Sequence, residues 1–219
     1  MYKFIFLIFI TNTVFANNNI YITNQTYKKN GLNFSYNYSL PKLFIKNKNL
    51  NETNMIFQNI MKISKNETMN LSKKNFNSYI KDTIKYKVFH NNFNFCSILI
   101  TKNLINENEK KTTLYIFNFS PKTGIITSSN DIFTPQGLIY FKNKILNLIE
   151  KENINNNSKK FFPISEINFD INKIPFFFEN NNLVFIFPKN ILTYDFNGNP
   201  KFYFKKDEIL NFFTFNIGG

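Results

Sequence analysis

Phe176-Phe177-Phe178-Glu179-Asn180-Asn181-Asn182-Leu183-Val184-Phe185-Ile186-Phe187-Pro188 sets two short apolar runs on either side of an asparagine cluster. Runs of this length, rich in Phe, Val and Ile and bounded by Asn and Pro, read as strands. The Asn-rich break reads as a turn, because Asn tolerates left-handed backbone and can bond its own main chain. A hairpin of Ile174 to Phe178 with Leu183 to Phe187 is therefore predicted. A last strand over Lys201 to Phe204 follows, with Asp207 capping a short terminal helix that runs to Phe213.

Working back towards the N-terminus, Thr134-Pro135 is a helix start, a capping hydroxyl followed by proline at the first helical position. Leu138, Phe141, Ile145 and Leu148-Ile149 then supply a core-facing stripe, and the Asn-rich segment Lys151 to Lys160 reads as a loop between halves. Before this lies a meander. Ile84, Tyr86, Val88 and His90 alternate with lysines, Asn91-Asn92 turns, Phe93 to Thr101 and Thr113 to Phe119 are further strands, and Pro121 to Gly124 leads into Ile125 to Thr127. Four antiparallel strands in a row are expected.

Earlier still, Leu32, Phe34, Tyr36, Tyr38 and Leu40 alternate with polar residues, predicting a half-buried strand ended by Pro41. Asn51 then caps an amphipathic helix with Ile56, Ile60, Ile63 and Leu71 on its inner stripe, Glu52 at its positive end and Lys73-Lys74 at its negative end. The element order predicts an α+β fold, with antiparallel sheets in two strand-helix-strand halves and helices packed on one face.

Residues 1–16 read as an export signal: Lys3, the apolar run Phe4 to Ile10, and Val14-Phe15-Ala16 before Asn17-Asn18-Asn19. Cleavage after Ala16 is expected, leaving a protein outside the cytoplasm, in a periplasm or the extracellular space, with no integral membrane segment. The seven-residue apolar run is about a third of what a membrane-crossing helix needs. Within the 219 residues, 27 basic side chains, all lysine, face 14 carboxylates, for a net charge of +13, or +12 without Lys3. A chain without arginine has no planar fork for phosphates or base edges, so the charge argues for diffuse attraction to anionic surfaces and against nucleic-acid reading. The heavy use of Phe, Asn and Lys is the bias of AT-rich coding and is not read as function.

Catalytic chemistry is sparse. His90 is the only histidine, so neither a histidine pair for zinc nor a histidine-based triad can be assembled. Cys96 is the only cysteine and reads as a small buried hydrophobe, without a basic neighbour to make it reactive. Glu107 with Glu109 and Glu150 with Glu152 lack the apolar surroundings of an acid and base pair. Asp195 to Asn199 lacks the later glutamate of a calcium loop. Asn24-Gln25-Thr26 and Asn51-Glu52-Thr53 are sequons of the kind that arise by chance in an Asn-rich chain. No cofactor and no metal are expected.

The strand from Tyr36 to Leu43, the helix after it, the Tyr86 to Leu99 strand pair, the Phe119 to Gly124 turn, the Asp131-Ile132-Phe133 helix entry and the closing hairpin are together similar to a known extracytoplasmic region. It is shared by RsiV-type anti-sigma factors and the accessory domain of some peptidoglycan deacetylases, the DUF3298 and DUF4163 families. In that pattern the hairpin runs into a Pro-Tyr-Glu-Ile-Ala-Pro-Tyr-Ala-x-Gly segment. Here Pro188, Ile191, Tyr194 and Gly198 match it, Lys189-Asn190 replace the Tyr-Glu pair, and Thr193 replaces the second proline. The Gly-Gly-Ala-His loop common in relatives is missing at Asn106 to Thr113.

The resemblance implies residues 17–130 as a DUF4163-like half and 131–219 as a DUF3298-like half, with Pro188, Ile191, Tyr194 and Gly198 as a structural or binding turn. It implies a non-enzymatic binding module for an envelope component. A strongly positive chain repels cationic lysozymes and suits an anionic envelope glycan or an acidic protein better. The other readings are a lysozyme-binding or inhibitor module and an unrecognised cell-wall hydrolase or deacetylase.

Overall fold

The computed structural model describes residues 12–13, 20–45, 48–74, 77–89, 95–107, 109–119, 128–155, 160–194 and 198–214. The chain divides into two units. One comprises residues 1–88 and 98–126, the other residues 89–97 and 127–219.

The first unit is built on a mixed sheet whose strands are β1 (Asn12–Thr13), β2 (Ile20–Asn30), β3 (Phe34–Ile45), β4 (Lys48–Asn49), β5 (Ile80–Phe89), β6 (Cys96–Asn106) and β7 (Glu109–Phe119). Their order is β1-β2-β3-β5-β6-β7, with β4 on β3. Strands β2 and β3 are antiparallel over their length, from Ile20 opposite Ile45 to Asn30 opposite Ser35. The expectation of antiparallel sheets is corrected at β3 and β5, which pair in parallel from Phe34 opposite Ile80 to Tyr38 opposite Ile84. The reason lies in the connection: helix α1 (Asn51–Lys74) separates the two strands, and a helical crossover returns the chain in the same direction. The expected strand Ile125 to Thr127, the Pro121 to Gly124 turn and His90 lie outside the described residues, as does Ala16 with most of the leader.

Pro41 does not end β3. It lies opposite Asn24 within the β2–β3 ladder and beyond Tyr38, where the pairing with β5 has stopped. A proline there deprives no neighbouring strand of a donor. Two residues on, the Leu43 N–H donates to Asn54 Oδ1 and the Asn54 Nδ2 donates back to the Leu43 carbonyl, both at 2.9 Å. The buried amide in the first turn of α1 thus replaces a missing strand and fixes the helix start against the sheet.

The inner face of α1 is not the predicted aliphatic stripe. Ile60 is buried, but Ile63 is 64% exposed, and the covered side carries Thr53, Asn54, Phe57, Ile60, Ser64, Thr68 and Ser72. Its N-terminal half packs by Phe57, edge-on to Phe117 and Phe119 of β7. Its C-terminal half is a row of hydroxyls.

The second unit carries an antiparallel sheet of β8 (Phe176–Glu179), β9 (Asn182–Ile186) and β10 (Lys201–Lys205), ordered β10-β9-β8. The hairpin turns through Asn180, whose φ is +52°, with Glu179 opposite Asn182. A short α2 (Ser129–Ile132) carries a capping box between Ser128 and Asp131 and precedes α3 (Pro135–Asn155), where Thr134 accepts from the Gly137 N–H at 3.1 Å. Leu138, Phe141, Ile145 and Ile149 are buried as expected. The helix runs through Asn155, five residues into the segment read as a loop, because Glu152 pairs with Lys160 and Asn153 donates to the Phe162 carbonyl. Phe133, Phe141, Phe185 and Phe204 form the aromatic centre of this core, in edge-on and tilted contacts. A Cβ on Gly137 would lie 2.6 Å from Phe212, so α3 approaches the terminal segment as only glycine allows. That segment is α4 (Lys206–Ile209) followed by a 3-10 turn over Leu210–Phe212, and its start carries no side-chain cap from Asp207.

Candidate functional site

Strand β5 alternates between its two faces: Ile80, Asp82 and Ile84 are buried under α1, while Lys81 and Lys85 are exposed on the opposite face. A carboxylate in the middle of the covered face needs donors, and the fold brings three. Tyr38 Oη of the neighbouring β3, Ser64 Oγ and Thr68 Oγ1 of α1 all donate to Asp82 Oδ2, at 2.7, 2.7 and 2.8 Å. Ser64 and Thr68 are four residues apart and so stack on one helix face above the same strand position. Asp82 is fully buried, and its Oδ1 has no hydrogen-bond partner among the described residues. Burial, and then the adjacent Asp82 charge, push the Tyr38 hydroxyl far above its ordinary value, so Tyr38 acts here as a donor and not as a base.

Beside this cluster, Lys102 on β6 is buried and pairs with Glu67 of α1, and Lys111 lies 3.7 Å from the other Glu67 oxygen. Burial alone would raise the Glu67 carboxyl, but hydrogen bonding and charge from Lys102, with help from Lys111, hold it below its ordinary value. Nothing in the sequence marks Ser64, Glu67, Thr68, Asp82 or Lys102 as belonging to a site. Ser64 and Thr68 look like surface positions between lysines, and only the four-residue spacing of hydroxyls on one helix face could have signalled them.

The turn formed by Pro188, Ile191, Tyr194 and Gly198 lies between β9 and β10. Its base is closed by the Phe187 N–H on the Pro200 carbonyl and by Asn199 Nδ2 on the Phe187 carbonyl, at 2.8 and 2.9 Å. Ile191 packs on the aromatic core, Tyr194 is half exposed and meets Phe162 edge-on at 4.8 Å, and Pro188 is exposed. Gly198 has a φ of +79°. Asp195 lies outside the described residues. Of the four, Ile191 anchors, Tyr194 presents an aromatic ring and Gly198 supplies backbone freedom.

Cys96 is partly buried, and desolvation pushes its thiol up to about 12. Glu107 adopts a φ of +52° and accepts from Ser78 Oγ. No group of three metal-ligating side chains occurs among the described residues. No helix among them is long and apolar enough to cross a membrane.

No protein-family model and no curated protein sequence matches the chain. Solved structures do. A DUF3298 family protein from Pseudomonas aeruginosa PAO1 is similar with a TM-score of 0.58 at 10% identity, over 90% of this chain and 95% of that one. A member of the DUF3298 family from Bacteroides fragilis NCTC 9343 is similar with a TM-score of 0.56 at 13% identity, over 96% of each chain. At these identities the likeness is one of fold, and it spans nearly the whole chain.

Proposed function

We propose that this chain is an exported, non-catalytic binding protein of the DUF3298 type, whose ligand is an anionic component of the cell envelope. The observation that carries this reading is the charge: 27 lysines against 14 carboxylates, on a fold similar to DUF3298 proteins from end to end. A net charge of +13 raises the local concentration of polyanions and disfavours cationic partners. The leader-like residues 1–16 support an encounter outside the cytoplasm, in a periplasm or the extracellular space. Asp82, the most deeply set carboxylate among the described residues, supports a binding role over catalysis. It is spent on three internal donors and tied into the helix–sheet contact.

The test is sedimentation of the purified mature protein with envelope polysaccharide, before and after chemical removal of its acidic groups. The reading expects co-sedimentation only before removal. Binding that survives removal would replace it with a neutral-glycan ligand.

A further inference from the structure

The face of the first sheet turned away from α1 carries the feature that the fold alone does not explain. On β2, β3, β5 and β6 the only carboxylate is Asp82, and it points under the helix. The opposite face presents Lys81, Lys85 and Lys87 along β5 and Lys28 on β2, all exposed or nearly so. Cross-strand register places short polar side chains between them: Lys28 lies opposite Asn37, Asn37 opposite Thr83, and Ser35 opposite Lys81. At about 3.3 Å per residue and about 4.8 Å between strands, Lys81 and Lys85 stand about 13 Å apart, Lys85 and Lys87 about 7 Å, and Lys28 about 10 Å across from the β5 row.

We infer that this face is the docking surface for an extended polyanionic glycan, laid across β2, β3 and β5, with the lysines meeting its acidic groups and Ser35, Asn37 and Thr83 its hydroxyls. The inference rests on the anionic-ligand reading above and locates it. Charge complementarity selects the occupant. Four cations spread over 10 Å and more cannot converge on one small anion but do match charges repeated along a chain, and the lysines are separated by polar residues, not by the apolar ones that would enter a lipid surface.

Polygalacturonate at low salt is the probe, with neutral dextran and anionic phosphatidylglycerol vesicles as comparisons. Affinity should fall about tenfold or more in Lys81→Gln/Lys85→Gln/Lys87→Gln, since three of the cations that meet the acidic groups are then neutral. It should fall less than about threefold in Lys62→Gln/Lys65→Gln/Lys144→Gln, a control triple on α1 and α3. Circular dichroism confirms folding, and Lys28→Gln on β2, two strands away, should weaken binding where a β5 variant misfolds. Equal losses in the two triples would overturn the face while leaving the anionic ligand standing. Binding to vesicles but not to polygalacturonate would overturn the glycan. No binding to any polyanion would overturn the underlying reading itself.

Discussion

The Tyr38 hydroxyl reaches across from β3 to donate to Asp82 on β5 at 2.7 Å, two residues along β5 from its own pairing partner Ile84. Two hydroxyls from α1 share that carboxylate oxygen, so the C-terminal half of the helix is held to the sheet by a charge-assisted polar centre in place of an aliphatic stripe. Tyr38→Phe should cost about 2 kcal/mol by urea unfolding, the worth of a buried hydrogen bond to a charged group. Ser64→Ala combined with Thr68→Val should cost more than the two single changes summed, because the last donors to a buried carboxylate are the hardest to lose. Near-zero costs for all three singles would remove Asp82 from its role as the fastening point.

Stability in acid should depend on Glu67. Its folded carboxyl lies below the ordinary value of 4.5, so the unfolded chain takes up the proton more readily. The stabilisation is therefore present above that value and is lost as pH falls through the folded one. Glu67→Gln should flatten the acid side of a plot of melting temperature against pH below about pH 4.5. An acid limb identical in both proteins would contradict the Lys102 and Lys111 pairing.

How much of this was legible in the sequence varies with the kind of signal. The β8–β9 hairpin was plain because Phe and Val runs flank asparagines that accept a positive φ, and α3 because Thr134-Pro135 and a regular aliphatic stripe agree. Strand β2 was invisible: after Ile22 it reads Thr-Asn-Gln-Thr-Tyr-Lys-Lys-Asn, half-exposed polar residues with no apolar alternation. In α1 apolar spacing points to Ile63 and not to Ser64, Thr68 and Ser72, since a hydroxyl becomes an interior residue only when its acceptor is known. That acceptor, Asp82, sits on a strand whose parallel pairing with β3 is set by tertiary structure.

The Gly198 backbone gives a separable test of the 188–200 turn. With φ at +79° and no atom within 4 Å of an added Cβ, any cost of substitution is conformational and not steric. Gly198→Val should destabilise by about 1 kcal/mol or more, and Gly198→Asn by clearly less, because Asn enters left-handed backbone more readily. Equal costs for Val and Asn would point to something other than φ.

The Cys96 thiol, pushed up to about 12 by burial, should stay protonated and unreactive near neutral pH. Ellman's reagent should label it slowly in the native protein and rapidly in urea. Fast native labelling would contradict its partly buried placement.

Export is checked by expressing the full chain in a bacterial host: a mature protein starting at Asn17 outside the cytoplasm is expected, and a cytoplasmic product retaining Met1 would refute it.

The most direct measurement is the affinity of the mature protein for an anionic envelope glycan, titrated from low to high salt. The account predicts measurable binding at low ionic strength that falls steeply past physiological strength, where charges more than roughly 8 Å apart are largely screened. Binding that ignores salt, or none at low salt, would contradict it and leave the lysine excess as a mark of genome composition.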